Sequence, residues 1–409
     1  MDSYAATVAR MPALRDAIAA APEKHRVLTG ERPTGPLHLG HLLGTIVERV
    51  RLQRAGVETV VILADYQVIT DREVAERLPE YVRGAVLDQL AAGLDPQATT
   101  FFVHSAVPAL NQLMLPFLSL VSEAELHRNP TVRAEHALSG RALSGLMLTY
   151  PVHQAADILF CKADLVPVGK DQLPHVELTR VIARRFAERY APVFRVPEPM
   201  LTDAPDIPGL DGQKMSKSRG NAIVLGMSPD ETAALIRKAR TDSDRRITVD
   251  PDTRPGVFGL LSTAALCSGR TQEEIADEIG DGGAGLLKKV TTEAVNTYLA
   301  PHRARRAELA AEPDLVDEIL ERGNERADAI ADATLDEVRE AMGMRYRAAG
   351  SRRNADSTTA TRGTTASTTS APRGPCASAT RPSSGRNSPP ALTARPSVTP
   401  AAVPGRVGR

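Results

Sequence analysis

Two short stretches carry side chains whose types and spacing suit phosphate chemistry. Lys214-Met215-Ser216-Lys217-Ser218 sets two amines and two hydroxyls within five residues, between Gly212 and Gly220. Lysines on a mobile loop can close on a phosphate group as it leaves. Pro36-Leu37-His38-Leu39-Gly40-His41 sets two imidazoles at the start of a helical pattern. Imidazole donors at a helix N-terminus suit charge developing on phosphate. Taken singly, each has a plain reading: a solvated loop, or two capping histidines.

A third group lies between them. Tyr150, Gln154 and Asp157 recur along one helical stretch, and Gly169-Lys170-Asp171-Gln172 follows an apolar run. A phenol and an amide can accept from an ammonium, and a carboxylate can pair with sugar hydroxyls. Asp157 sits among Ala156, Ile158 and Leu159, where a lone carboxylate is costly without a partner. The structural alternative there is an ion pair with arginine. Asp171, taken alone, also reads as the N-cap of a helix over 174–190.

The elements that must position these groups alternate. Strand patterns fall at 25–29, 59–64, 100–104, 165–168 and 193–196, and helical patterns at 42–55, 73–92, 110–120, 150–160 and 174–190. Alternation of this kind predicts an α/β fold with a Rossmann-like, doubly wound parallel sheet. Ligands then bind outside the carboxyl ends of the strands. Gly30 and His38 to His41 fall there, just past the first strand, where helix N–H groups can receive phosphate. Beyond Ser218 the pattern turns helical, at 227–238, 256–267, 271–279, 285–299, 301–311 and 314–342. The expected division is a catalytic domain over 1–226, an α-helical domain over 227–345, and a tail over 346–409. That tail is rich in Ser, Thr, Pro and Arg and nearly free of large apolar residues, so disorder is expected.

Composition bounds the rest. The chain has 409 residues, 42% hydrophobic and 24% charged, the balance of a globular protein. No apolar run approaches the ~18–20 residues that span a bilayer. Residues 1–20 carry Asp2, Arg10, Arg15 and Asp16, so they lack the core of a secretory signal. Cys161, Cys267 and Cys376 are too scattered for a disulfide framework or a metal-binding CxxC pair; a reducing cytoplasm and no resident metal site are expected. The net charge of zero is split: the tail holds ten arginines against Asp356, which leaves residues 1–345 acidic. Any RNA contact must come from local basic patches.

In this order and spacing, the two stretches resemble the His-x-Gly-His and Lys-Met-Ser-Lys-Ser signatures of class I aminoacyl-tRNA synthetases. The run from Tyr150 to Leu159, Val166-Pro167-Val168-Gly169-Lys170-Asp171-Gln172, Lys238 to Asp244 and Met342-Gly343-Met344 narrow the resemblance to the tryptophanyl-tRNA synthetase family of bacterial type. It covers roughly 27–344. The resemblance implies carboxylate attack on the α-phosphorus of ATP with Mg2+, then transfer of the aminoacyl group to tRNA(Trp), in a homodimer that uses neither membrane nor DNA.

Roles implied by the resemblance follow residue by residue. His38, His41, Lys214 and Lys217 would be catalytic. Gly30, Arg32, Gly40, Gly169, Asp171, Ser216, Ser218 and the Met215 backbone would hold ATP, with Asp171 on the ribose. Tyr150 and Gln172 would hold the ammonium of L-tryptophan, and Asp157 would accept its indole N–H. Leu28, Gln67, Gln154, Val166 and Val168 would complete that pocket. Three positions depart from the common pattern: Gln154 replaces Met, Gln67 replaces a pocket His, and Arg32 replaces Gln. The helical domain would read the anticodon.

Tyr150, Gln154 and Asp157 also reproduce a tyrosyl-tRNA synthetase spacing. That family places a Tyr on the first strand to bind the substrate hydroxyl, whereas Leu28 stands here, and a missing donor costs orders of magnitude in discrimination. A non-charging paralogue with a binding role would usually lose a signature His or Lys, and all are present.

Overall fold

A computed structural model of the chain describes residues 3–69, 76–139, 142–201, 207–216 and 219–346. These form one compact unit ending at Tyr346. The expected disorder of the tail concerns residues that lie, past Tyr346, outside the described ones.

Five parallel strands make one sheet in the order β3-β2-β1-β4-β5. They are β1 Arg26–Glu31, β2 Glu58–Leu63, β3 Thr99–Val103, β4 Leu165–Val168 and β5 Glu198–Leu201. The chain winds outward from β1 in both directions, so the order reverses between β1 and β4. A crevice opens there at the carboxyl ends of the strands. β2 and β4 are buried almost throughout, because helices cover both faces of the sheet.

The sequence predicts the fifth strand at 193–196, and the structure differs. The 193–196 segment is a turn in which Val193 N donates to Ala191 O at 2.9 Å, and the Phe194 ring packs 5.0 Å from Phe186. The strand lies at Glu198–Leu201, next to β4 alone. An edge strand tolerates Pro199, which has no N–H to donate.

Helices α1 Ser3–Ala20, α2 Val47–Ala55, α3 Leu78–Ala91, α4 Gly145–Leu159 and α5 Leu173–Arg189 flank the sheet. Helix α1 has no counterpart in the sequence pattern. Its Met11 and Ile18 pack with Val27, Leu52 and Leu165 in a small core under the sheet. The 73–92 helix starts late, at Leu78, with 70–75 outside the described residues. The 110–120 pattern is two short helices, Pro108–Gln112 and Met114–Leu118.

The helical part contains α6 Pro229–Arg237, α7 Pro255–Ser268, α8 Gln272–Ile279, α9 Gly283–Ala310 and α10 Leu315–Ala341. Ser228 and Glu231 close a capping box on α6: Glu231 N donates to Ser228 Oγ at 3.2 Å, and Ser228 N donates to Glu231 Oε2 at 2.8 Å. A break near residue 300 was expected, yet α9 runs unbroken through Pro301. Its apolar face, with Val295 and Leu299, packs before the proline, while His302 and Arg306 bind Asp88 of α3 after it, at 3.0 and 2.6 Å. Packing on both sides outweighs the one hydrogen bond lost. α10 crosses β3 at backbone distance: a Cβ on Gly323 would collide with the Phe101 carbonyl, and Val103 N donates to Asn324 Oδ1 at 2.9 Å.

Candidate active site

The crevice is a cleft of about 750 Å³. At one side His38 ends an extended segment and N-caps the short Leu39–His41 turn. His38 N donates to His41 Nδ1 at 3.1 Å. The bond leaves the His41 proton on Nε2, the tautomer that donates to an anion. The two rings lie 3.8 Å apart. The histidines therefore do cap, and both also line the cleft. Glycine at position 40 leaves the His38 ring its room. A Cβ there would sit 2.9 Å from His38 Nδ1 and 3.4 Å from Met215 Sδ.

The two signature stretches are joined by backbone. Leu39 N donates to Ile223 O at 2.8 Å, and Leu225 N to Leu37 O at 3.0 Å. Asn221, nearly fully buried, ties the loop from inside. Its Oδ1 accepts from Ser216 N at 2.8 Å, and its Nδ2 donates to Asp211 Oδ1 at 2.7 Å and Lys214 O at 3.2 Å. Burial works to raise the Asp211 carboxyl, but the Asn221 amide and nearby N–H groups outweigh it and hold the pKa below the ordinary value. Lys214 and Met215 reach the cleft wall, whereas Ser216 lies off it. Lys217 and Ser218 fall outside the described residues.

The floor comes from β1 and β4. Gly30 has no room for a Cβ against Ile62 of β2. Leu28, Val166 and Val168 are buried and form an apolar slot. Arg32 also lines the cleft, with Nη2 donating to Gln67 O at 3.3 Å. Gly169 and Gln172 border the slot at the end of β4. Gln172 itself is the N-cap of α5, so Asp171 does not hold that position; its side chain falls outside the described atoms.

Tyr150, Gln154 and Asp157 share one face of α4 and line the cleft together. Tyr150 Oη lies 3.1 Å from His175 Nε2. Asp157, 3% exposed, receives Gln67 Nε2 on Oδ2 at 3.3 Å. Burial drives its pKa well above the usual carboxylate range, and the Gln67 amide opposes that only in part. Among the described residues the polar side chains nearest it are this amide, His153 and His104, whose Nε2 lies 3.3 Å from Oδ1, and no arginine pairs with it. His104 is held neutral: burial first, then the neighbouring His153, bring its pKa down to about 3.

Sequence reasoning assigned no role to His104, His153, His175 or Asn221. Two signals were readable. His153 stands four residues before Asp157, on the same helix face. His104 directly follows β3, at a strand's carboxyl end.

The arrangement offers an anion-binding side at His38 and His41, a polar rim at Tyr150 and Gln172, and an apolar slot ending in a buried carboxylate. The family model of tRNA synthetases class I (W and Y) matches residues 21–300. The tryptophan–tRNA ligase of Lactococcus lactis subsp. lactis (strain IL1403) is 40% identical over 340 residues, 79% of this chain and 99% of that protein. The ligase of Treponema pallidum (strain Nichols) is 41% identical over 339 residues, covering 79% and 98%. The crystal structure of tryptophanyl-tRNA synthetase from Campylobacter jejuni, complexed with ADP and tryptophane, superposes with a TM-score of 0.68 at 30% identity, covering 78% and 99%. The chain belongs to the class I tRNA synthetases, in the family of the tryptophan–tRNA ligases.

Proposed function

We propose that the cleft joins L-tryptophan to ATP and passes the tryptophanyl group to tRNA(Trp). One observation carries the choice of amino acid: a buried carboxylate, Asp157, at the end of a slot whose β1 position is Leu28. A carboxylate accepts an indole N–H, and Leu28 offers nothing to a phenol hydroxyl.

In the first step a carboxylate oxygen of tryptophan attacks the α-phosphorus. The bond to the β-phosphate bridging oxygen breaks, and pyrophosphate leaves with that electron pair. No general base is needed, because the nucleophile is already ionised. The rate comes from stabilising the phosphate charge. His41 Nε2–H and the His38 ring face that charge, with Lys214 across the cleft, and Lys217 would act beside it. The Met215 backbone borders the place of the nucleotide; Ser216 and Ser218 would have to close over it, and Asp171 would take the ribose. Tyr150 and Gln172 hold the ammonium. In the second step a 3′-terminal ribose hydroxyl of tRNA takes the acyl carbon and AMP leaves.

The described cleft wall offers two carboxylates, Glu31, paired to Arg49 at 2.8 Å, and Asp157 at the far end. Neither suits Mg2+, so the ion would ride on the phosphate oxygens of ATP. The α6–α10 part would face the anticodon, and the enzyme would act as a cytoplasmic homodimer. Among the described residues no helix is long and apolar enough to cross a membrane.

The test is ATP–pyrophosphate exchange with each of the twenty amino acids. Exchange is expected with L-tryptophan and weaker by orders of magnitude with tyrosine. Equal exchange with tyrosine overturns the reading.

A further inference from the structure

Behind the indole end of the cleft, three buried polar atoms have no hydrogen-bond partner: Asp157 Oδ1 and both ring nitrogens of His104. Such atoms are rare in folded proteins and mark an unmet interaction. His153 is the third member. His104, His153 and Asp157 each offer one ligand atom, and these atoms lie within 4.8 Å of one another. All three residues are buried, at 0%, 6% and 3% exposed.

We propose that His104, His153 and Asp157 form a site for one divalent transition-metal ion of the Zn2+ type, which competes with L-tryptophan for the Asp157 carboxylate. The competition rests on reading Asp157 as the indole acceptor. The ion site does not.

Geometry favours an ion over a direct contact. His104 Nε2 and Asp157 Oδ1 are 3.3 Å apart, yet their orientation does not make a hydrogen bond. Two ligands held about 2.0–2.1 Å from a tetrahedral Zn2+ stand about 3.3 Å from each other. His153 Nε2 lies 2.7 Å from Asn111 Oδ1. An amide oxygen there puts the proton on Nε2 and the lone pair on Nδ1, as the outer partner of a metal-bound imidazole does. Two imidazoles and one carboxylate suit Zn2+, Co2+ or Fe2+, and not the Mg2+ of ATP, which prefers oxygen and keeps its waters.

Charge agrees. A buried carboxylate without an arginine or lysine partner among the described residues is relieved by a cation. Asp157 also lines the cleft, which gives the ion its way in. An ion on Oδ1 takes the electron density that an indole N–H would use.

The experiment uses the full chain, freed of metal with a chelator, and Co2+ as the probe. Visible d–d absorption is expected to saturate at one Co2+ per chain and to vanish on adding Zn2+. The chain has no tryptophan of its own, so binding of L-tryptophan is read from its own fluorescence. Saturating Zn2+ is expected to weaken that binding tenfold or more, and less than twofold in His153→Leu, which should also lose the Co2+ band. The absence of a Co2+ band in the wild type at millimolar Co2+ overturns the site. So does a band that survives in both His153→Leu and His104→Asn. Tryptophan binding untouched by Zn2+ overturns the competition. A Co2+ band in a protein that exchanges no tryptophan would instead sink the proposed function and uphold the ion site, because the band is read without substrate.

Discussion

Asn221 Oδ1 accepts the Ser216 amide at 2.8 Å, which ties the middle of the Lys-Met-Ser-Lys-Ser loop to the strand-like segment that follows it. That segment is bonded in turn to the histidine signature through Leu39 and Leu225. The two signature stretches, proposed to hold the phosphates, are thus positioned by one buried amide and a short backbone bridge.

Asn221→Ala leaves the Ser216 and Lys214 backbone groups without this partner, at about 1–3 kcal/mol. Part of that cost should appear as a misplaced loop. Exchange is expected to slow ten- to a hundredfold, with tryptophan binding within a few fold of wild type. Equal loss in both measurements would mean that Asn221 serves general stability alone.

Gly40→Ala pushes a methyl group against the His38 ring and Met215. The ring must yield, and His38 then leaves its place beside His41. A ten- to hundredfold slower exchange is expected, worth about 1.4–2.8 kcal/mol of barrier. The thermal midpoint should stay within a few degrees, because the contact is a flexible ring. An unchanged rate would show that the position of His38 does not matter.

His104 and Asp157 act oppositely on stability as pH changes. The folded chain keeps His104 unprotonated down to about 3, whereas an unfolded histidine takes a proton near 6.5. Over that window the unfolded state binds more protons, so stability falls as pH falls. Asp157 keeps its proton above the 3.8 of an unfolded aspartate, so its burial lowers stability as pH rises past that value. His104→Asn should lose less thermal midpoint between pH 7.5 and 4.5 than the wild type does. Asp157→Asn should raise the midpoint at pH 7.5, by more than about 2 °C, while weakening tryptophan binding. Parallel pH curves for wild type and His104→Asn would exclude a buried neutral imidazole.

Gln67 and Gln154 give the proposed indole pocket two amides. Gln67 already spends one N–H on Asp157. An indole analogue shaped for a His and Met pocket would leave an amide unpaired, at about 1–3 kcal/mol. Such analogues are expected to bind ten- to a hundredfold more tightly to a Gln67→His, Gln154→Met double variant. Identical inhibition constants for both proteins would remove the amides from any part in selectivity.

Much of this was legible because the chemistry is local in sequence. His38 with His41, and Tyr150 with Gln154 and Asp157, each occupy one turn or one helix face. β2 to β4 are short, mostly apolar and rich in β-branched residues, so their pattern survives without context. β5 was misplaced because Pro197 and Pro199 argue against a strand, and only its edge position makes them harmless. Pro301 argues for a break for the converse reason: the contacts of His302 and Arg306 that anchor α9 beyond the proline lie more than two hundred residues away, on Asp88. The surroundings of Asp157 depend on a strand end, a helix and a short turn meeting in space, and no spacing encodes that meeting.

The seating of α10 on β3 has a further consequence for the folding of the chain. Among the described residues β3 is the last strand on its side of the sheet, and Asn324 offers Val103 the carbonyl that a sixth strand would supply. A chain cut after residue 226 would keep every strand and both signature stretches, yet it would leave that border uncovered. Exposed borders of this kind pair with one another between molecules. Such a fragment should associate through β3 into species that the full chain does not form, and the helix that sequence patterning sets apart from catalysis would be the guard that keeps the sheet from polymerising.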